Sequence, residues 1–256
     1  MADSNANHGD VPSRCELKVL ITGGTGSLGR ALVAEFASSG YSVTFQYHSD
    51  EIRAADLVRC HGAAAMRLDM AQPFELPEPL FDVVVNNAGV NISDAPTHET
   101  TLEDFSTTLQ VNLVAAFLVV KQCLPWMLSR KSGRIINVSS IYGLRAVEGN
   151  LSYTVSKHGM SGLTRTVAKE YATHGITCNE ICPGPVESDL MQEVASRVSA
   201  AEGGTPADYL EHLRQAIPAR RLATPKEIAT LAVFLASASA QYINGASIPI
   251  DGAWIV

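Results

Sequence analysis

The stretch from Lys18 to Phe36 constrains the fold more than any other part of this chain. Lys18, Val19, Leu20, Ile21 and Thr22 make a short apolar run with β-branched residues, readable as a buried strand. Gly23, Gly24, Thr25, Gly26, Ser27, Leu28 and Gly29 follow at once. Leu28, Leu32 and Phe36, supported by Ala31, then recur at helical spacing. Strand, glycine-rich turn and helix in that order open a nucleotide-binding βα unit. Gly24, Gly26 and Gly29 match G-x-G-x-x-G, whose glycines allow a tight turn, close backbone approach to a pyrophosphate and tight helix–strand packing. The helix start adds free N–H groups and a positive dipole end. The letters alone would fit any glycine turn, and the flanking strand and helix give them weight.

The same alternation continues. Strands are expected at Tyr41–Tyr47, Ala64–Leu68, Phe81–Val85, Arg134–Val138, Ile176–Ile181 and Ser247–Ile250. Helices are expected over Asp50–His61, from a capping box at 100–103 to about Arg130, over Tyr153–Tyr171 and over Pro225–Ala236. Pro125 is expected to kink or end the second of these. Strands alternating with helices imply right-handed βαβ units and a parallel sheet, which binds ligands at the carboxyl ends of its strands. Gly23, Asp69, Asn87 and Ser140 all fall at that edge. Residues 187–220 read as helical, interrupted between Glu202 and Pro206, and this excursion is expected to form a substrate lid.

Tyr153 and Lys157 are four apart, hence on one helix face. A phenol is a poor proton shuttle at neutral pH, and a neighbouring ammonium favours the phenolate. Ser140, thirteen residues upstream at a strand end, offers a hydroxyl to hold a substrate oxygen against the phenol. The spacing suggests acid/base chemistry on a carbonyl or secondary alcohol. A buried tyrosine with a snorkelling lysine has the same letters. Asn112 sits among Leu109, Leu113 and Ala116, where a solvated or capped residue is the ordinary reading.

Composition narrows the class. With 256 residues, 46% hydrophobic and 18% charged, one large α/β domain with a sizeable core is expected at 17–256, behind a flexible tail at 1–16 without a signal-peptide core. A net charge of -7 argues against a nucleic-acid or anionic-membrane partner. No apolar run reads as long enough to span a bilayer. Five cysteines without a C-x-x-C pair and seven histidines without H-x-x-x-H argue against a metal site or disulfide framework, and for a cytoplasmic setting.

Taken together, Thr22 to Gly29, Asp69, Asn86 to Gly89, Asn112, Ser140, Tyr153, Lys157, Pro183 with Gly184, Tyr242 to Gly245, and Asp251 with Gly252 resemble the short-chain dehydrogenase/reductase family, in its single-domain branch. The resemblance spans about residues 17–254. It implies a Rossmann-type, doubly wound parallel sheet of about seven strands with helices on both faces, NAD(H) or NADP(H), reversible alcohol oxidation, and a homo-oligomer, tetramer or dimer. By position it implies catalytic roles for Asn112, Ser140, Tyr153 and Lys157. Lys157 would lower the Tyr153 pKa and hold the nicotinamide ribose, and Asn112 would anchor a relay water. It further implies cofactor contacts from Gly23, Thr25, Gly26, Ser27, Leu28, Gly29, Tyr47, His48, Ser49, Leu68, Asp69, Met70, Asn87, Ala88, Gly89, Pro183, Gly184, Val186 and Ser188. Ser27 departs from the branch, which usually has glycine there; the pattern Gly23-x-x-Gly26-x-x-Gly29 resembles the extended branch and some polyketide ketoreductase domains.

An NAD enzyme of this fold needs an acid at the end of the second strand. Gln46 and Tyr47 stand there instead, and Asp50 and Glu51 read as caps of the next helix. Without that acid a 2′-phosphate is not repelled, and His48, Ser49 and Arg53 are placed to donate to it, which favours NADP(H) over NAD(H). Thr25, where many NADP users of the family carry Arg or Lys, weighs the other way. The leading function is hydride transfer to or from a small-molecule ketone or secondary alcohol. Two alternatives stand beside it. One is a 3-oxoacyl-thioester reductase, its carrier received by Arg130, Lys131, Arg220 and Arg221. The other is a catalytically silent nucleotide-binding regulator.

Overall fold

A computed structural model describes residues 17–256; the tail at 1–16, with Cys15, lies outside them. Seven strands form one parallel sheet: β1 (Lys18–Ile21), β2 (Ser42–Tyr47), β3 (Ala64–Arg67), β4 (Val83–Asn86), β5 (Gly133–Val138), β6 (Ile176–Pro183) and β7 (Ser247–Ile250). Their spatial order is β3-β2-β1-β4-β5-β6-β7, and every pairing is parallel. The order reverses between β1 and β4, which opens a crevice at the carboxyl edge, the usual place for a ligand in such sheets. The expected Rossmann-type, doubly wound fold is the observed one.

Helices cover both faces. On one lie α1 (Ser27–Ser38), α2 (Glu51–His61) and α8 (Pro225–Ala236), sharing a core with Val19, Ile21, Phe45, Val85, Ile136 and Ile181. On the other lie α4 (Ala115–Arg130) and α5 (Leu151–Tyr171), packed on Leu20, Val84, Ile135 and Cys178. Burial on both faces explains why these strands read as continuous apolar runs rather than alternating ones. Two further helices, α6 (Asp189–Glu202) and α7 (Pro206–Ala216), make up the 187–220 excursion, with Gly203 and Gly204 between them as expected. A capping box of Thr205 and Asp208, with Pro206 in the first turn, starts α7.

Pro125 neither ends nor breaks its helix: α4 continues to Arg130. A proline in a helix interior is unfavourable by about 3 kcal/mol. Burial of Cys123, Leu124 and Met127 against the sheet opposes that loss. A shorter helix, α3 (Leu102–Leu109), runs into α4 through one wide turn at Gln110–Val114, where the Ala115 N–H reaches back to the Gln110 carbonyl. Nothing in the residue pattern announces this turn, and it sets the position of Asn112. The joined stretch Leu102–Arg130 is long and apolar enough, by length and composition alone, to cross a membrane, a test that a helix packed in a protein core also passes. Its inner side packs on the sheet through Val119, Val120 and Cys123.

Candidate active site

The glycine loop after β1 is shaped by backbone crowding. Gly23 has φ +68°, in the left-handed region, and a Cβ there would lie 2.9 Å from the Ala88 Cα. A Cβ at Gly29 would run into the Gly23 carbonyl oxygen, so α1 starts against the loop. Gly26 is different. Its nearest neighbour would be 3.6 Å away, and the space over it opens into the crevice, where backbone can approach a ligand. The loop is pinned from below by Gln46, 2% exposed, whose Oε1 accepts from the Gly23 N–H at 2.9 Å while its Nε2 donates to the Leu68 carbonyl. The Thr22 Oγ1 accepts from the N–H groups of Asn87 and Ala88, both at 2.9 Å. The Asn87 amide donates to the carbonyls of Thr22 and Gly23.

A cavity of about 1140 Å³ runs from this loop along the carboxyl edge. It is lined by Gly23, Thr25, Gly26, Ser27, Leu28, Gly29, Tyr47, His48, Asp69, Met70, Asn87, Ala88, Gly89, Ser140, Tyr153, Lys157, Pro183, Gly184, Val186 and Ser188. The structure thus brings together most of the residues expected from sequence, drawn from six strand ends. Three do not line it. Ser49 stands outside its wall, Leu68 lines the small neighbouring pocket past β3, and Asn112 is fully buried behind it. At the β2 end, Asp50 caps α2 by accepting from the Arg53 N–H at 2.9 Å, as read from sequence. The Arg53 guanidinium pairs with Asp189 at 2.9 Å.

Tyr153 lies in the first turn of α5, and Lys157 one turn later is 3% exposed. The Lys157 Nζ donates to the Val138 carbonyl at 2.9 Å and lies 5.4 Å from the Tyr153 ring centroid. The Ser140 Oγ accepts from the Tyr142 N–H at 3.1 Å and lies close enough to the Tyr153 hydroxyl to favour its ionised form. Ser139 turns away, donating to the Lys157 carbonyl, so Ser140 is the serine that faces the phenol. Asn112 is neither solvated nor capping. The wide turn aims it inward, where its Oδ1 accepts from the Val90 N–H at 2.8 Å and its Nδ2 donates to the Val90 carbonyl and the Ser156 Oγ.

The electrostatics differ from the expectation that Lys157 lowers the Tyr153 pKa. Burial pushes the phenol up to about 12, and the Ser140 hydroxyl opposes this only in part. Burial also brings Lys157 down to about 8, with Cys182 and then Glu180 pulling the other way. Burial is the largest cause of the Tyr153 shift, and its direction is upward rather than downward.

The far end of the cavity is partly apolar: Met191 and Tyr209 line it as the apolar residues of 187–220 suggest, while Tyr142, Val147 and Trp254 were not singled out by the residue pattern. The Tyr142 ring stands edge-on to Tyr153 at 6.1 Å, and Tyr209, Met191, Val147 and Trp254 add apolar wall. Asp94 accepts from the Arg197 Nε at 2.8 Å across this wall, joining the loop after β4 to α6. The two are 103 residues apart, and no local signal links them. Gln46 carried one faint signal, a polar residue in an otherwise apolar strand. Among the described residues no group of three or more His, Cys, Asp or Glu side chains is placed to hold a metal ion.

A family model described as Enoyl-(Acyl carrier protein) reductase matches residues 23–254. The chain belongs to the short-chain dehydrogenase/reductase family. It is 34% identical over 249 residues to an uncharacterized oxidoreductase, YxjF, of Bacillus subtilis, covering 92% of this chain and 96% of the relative. It is 31% identical over 242 residues to an acetoacetyl-CoA reductase of Rhizobium meliloti, covering 91% and 96%. Among solved structures, an actinorhodin polyketide ketoreductase variant with NADPH superposes with TM-score 0.87 at 27% identity, over 94% of this chain and 98% of that one. The dehydrogenase/reductase uses a nicotinamide cofactor and passes hydride between it and a ketone or secondary alcohol of a small-molecule substrate. The open backbone over Gly26 and the free start of α1 fit its pyrophosphate.

Proposed function

We propose that this enzyme is an NADP(H)-dependent carbonyl reductase with Tyr153 as general acid. The observation that carries the reading is the placement of the Tyr153 ring, lining the cavity beside Ser140 with the Lys157 Nζ 5.4 Å from its centroid. A phenol is protonated at neutral pH and can give that proton to a carbonyl oxygen as the oxygen gains charge, the more easily where a neighbouring cation favours the phenolate. The bound nicotinamide supplies the hydride to the carbonyl carbon. Ser140 donates to the same oxygen and orients it. Lys157, a cation at neutral pH, stabilises the phenolate left after proton transfer and is placed to hold the nicotinamide ribose. Asn112 acts from behind the cavity by fixing the Val90 backbone and Ser156. Asp69 and Asn87 would meet the adenosine portion, and Pro183, Gly184, Val186 and Ser188 the nicotinamide, with α6 and α7 as the lid.

Preference for NADP(H) is supported by the β2 end. Gln46 is turned under the glycine loop, Asp50 is engaged in capping α2, and His48 and Arg53 line the cavity there. A 3-oxoacyl thioester is the second reading, supported by the acetoacetyl-CoA reductase relative. The basic residues offered to a carrier are partly engaged: Arg221 grips Glu227 with two bonds and Arg130 leans on Trp126. A homo-oligomer, tetramer or dimer, is supported by exposed Leu102, Phe117, Val155, Phe234 and Tyr242. Free thiols at Cys60, Cys123, Cys178 and Cys182 support a reducing, cytoplasmic setting.

The test is consumption of NADPH and NADH against ketones, 3-oxoacyl thioesters and, in reverse, secondary alcohols. Turnover of one ketone class with NADPH is expected. Tyr153→Phe should lower it by about two to four orders of magnitude while keeping cofactor affinity. More than a tenth of the activity retained would remove Tyr153 as the acid, and nucleotide binding without any turnover would favour a silent regulator.

A further inference from the structure

The start of α6 is fastened across the mouth of the cofactor cleft. The Asp189 N–H donates to the Ser27 Oγ at 2.9 Å, so the serine that replaces the family's glycine ties α6 to the glycine loop. The Asp189 carboxylate takes the Arg53 Nη1 at 2.9 Å, tying α6 to α2. The same oxygen lies 3.9 Å from the Arg30 Nη2 on α1, an ion pair too long for a hydrogen bond. The Arg30 Nε is buried and has no hydrogen-bond partner among the described residues. Arg53 is held on its other side by Asp50 at 3.4 Å. Two arginines therefore face one lid carboxylate, one engaged and one poised.

This arrangement stands where the sequence reading puts a 2′-phosphate. Ser27, Asp50, Arg53 and Asp189 all line the cavity, beside Tyr47 and His48. A phosphate monoester carries more charge than a carboxylate and has three strong acceptor oxygens, so it competes well for a guanidinium. When Arg53 turns to it, Asp189 would be left unpaired near the phosphates, and Arg30 is close enough to take it over. An NAD molecule offers no such competitor and leaves Arg53 on Asp189.

We infer that Asp189 is a specificity-determining residue: it competes with the cofactor's 2′-phosphate for Arg53, and its transfer to Arg30 links the phosphorylated cofactor to the position of the lid. This rests on the NADP(H) reading above. In the free enzyme the lid helix is bridged to α1 and α2; with a 2′-phosphate bound it is bridged to α1 alone. The Ser27 bond holds in both states.

The experiment measures dissociation constants of NADPH and NADH by fluorescence for wild type, Asp189→Asn, Arg53→Ala and the double variant, with hydrogen exchange over residues 189–202. Asp189→Asn removes the competitor and should tighten NADPH by about fivefold, the upper range for one exposed ion pair, with NADH changed less than about twofold. Arg53→Ala should weaken NADPH, and adding Asp189→Asn to it should bring no selective gain. Exchange at the start of α6 should differ between NADPH and NADH complexes of wild type but not of Asp189→Asn. If Arg53→Ala weakens NADPH and Asp189→Asn shifts both cofactors equally, the inference is overturned and the NADP(H) reading stands. If Arg53→Ala leaves NADPH unchanged, the phosphate does not sit at Arg53, and both are overturned. Exchange identical with the two cofactors in wild type overturns the link to the lid.

Discussion

Replacing Lys157 by Met should destroy activity and yet stabilise the fold at neutral pH. Lys157 is 3% exposed, and burial brings its ammonium from 10.5 down to about 8. Holding the charged form in the folded state is therefore unfavourable by about 3 kcal/mol. Methionine has a similar length and no charge, and removes that penalty. It also leaves the Val138 carbonyl, which now accepts from Nζ at 2.9 Å, without its partner. That loss is worth about 2 kcal/mol. The balance leaves the variant more stable by about 1 kcal/mol at pH 7, or about 3 °C in melting temperature for a chain of this size. The difference must change with pH. Below about 8 the lysine is charged in both states and the penalty is complete. Between about 8 and 10.5 the folded enzyme sheds the proton while the unfolded chain keeps it, so wild type gains stability as pH rises. The order of the two proteins should then reverse, with wild type ahead by about 2 kcal/mol once the penalty is gone. Tyr153, pushed up to about 12, is present in both proteins and cancels in the comparison. Paired unfolding curves from pH 6 to 10 check this, with turnover measured alongside. A variant less stable at pH 7, by a margin constant across that range, would refute the reasoning.

Two further perturbations test the loop. Gly29→Ala drives a Cβ into the Gly23 carbonyl and against the Gly24 Cα, both backbone, so the loop must shift; a loss of about 1–3 kcal/mol and at least about tenfold weaker cofactor binding are expected from melts and titration, and an unchanged affinity would show that the loop does not shape the site. Gln46→Ala frees the Gly23 N–H and the Leu68 carbonyl at once; it should raise the cofactor KM while kcat changes little, with about 1–3 kcal/mol lost, and a kcat effect without a KM effect would place Gln46 elsewhere in the mechanism.

Much of the fold and the outline of the site were legible in the residues. β-branched apolar runs, helical periodicity and turn residues are local signals, and they marked all seven strands to within a residue or two. Parallel order followed from alternation, because a strand buried on both faces needs helices on both. Tyr153, Lys157 and Ser140 were legible because the first two share a helix turn and the third ends a strand at the ligand edge. Other features depended on contacts between distant segments or on burial. The wide turn at Gln110–Val114 decides that Asn112 points inward, and no side-chain pattern encodes it. The helix through Pro125 survives because its far side is packed, a tertiary effect that overrides a local preference. The Asp94–Arg197 pair and the bonds of Asp189 to Ser27 and Arg53 join residues 103 or more apart. The proton affinity of Tyr153 was misjudged for the same reason. An adjacent ammonium can be read from spacing, but the burial that shifts each group against its charged form exists only once the chain has closed around both.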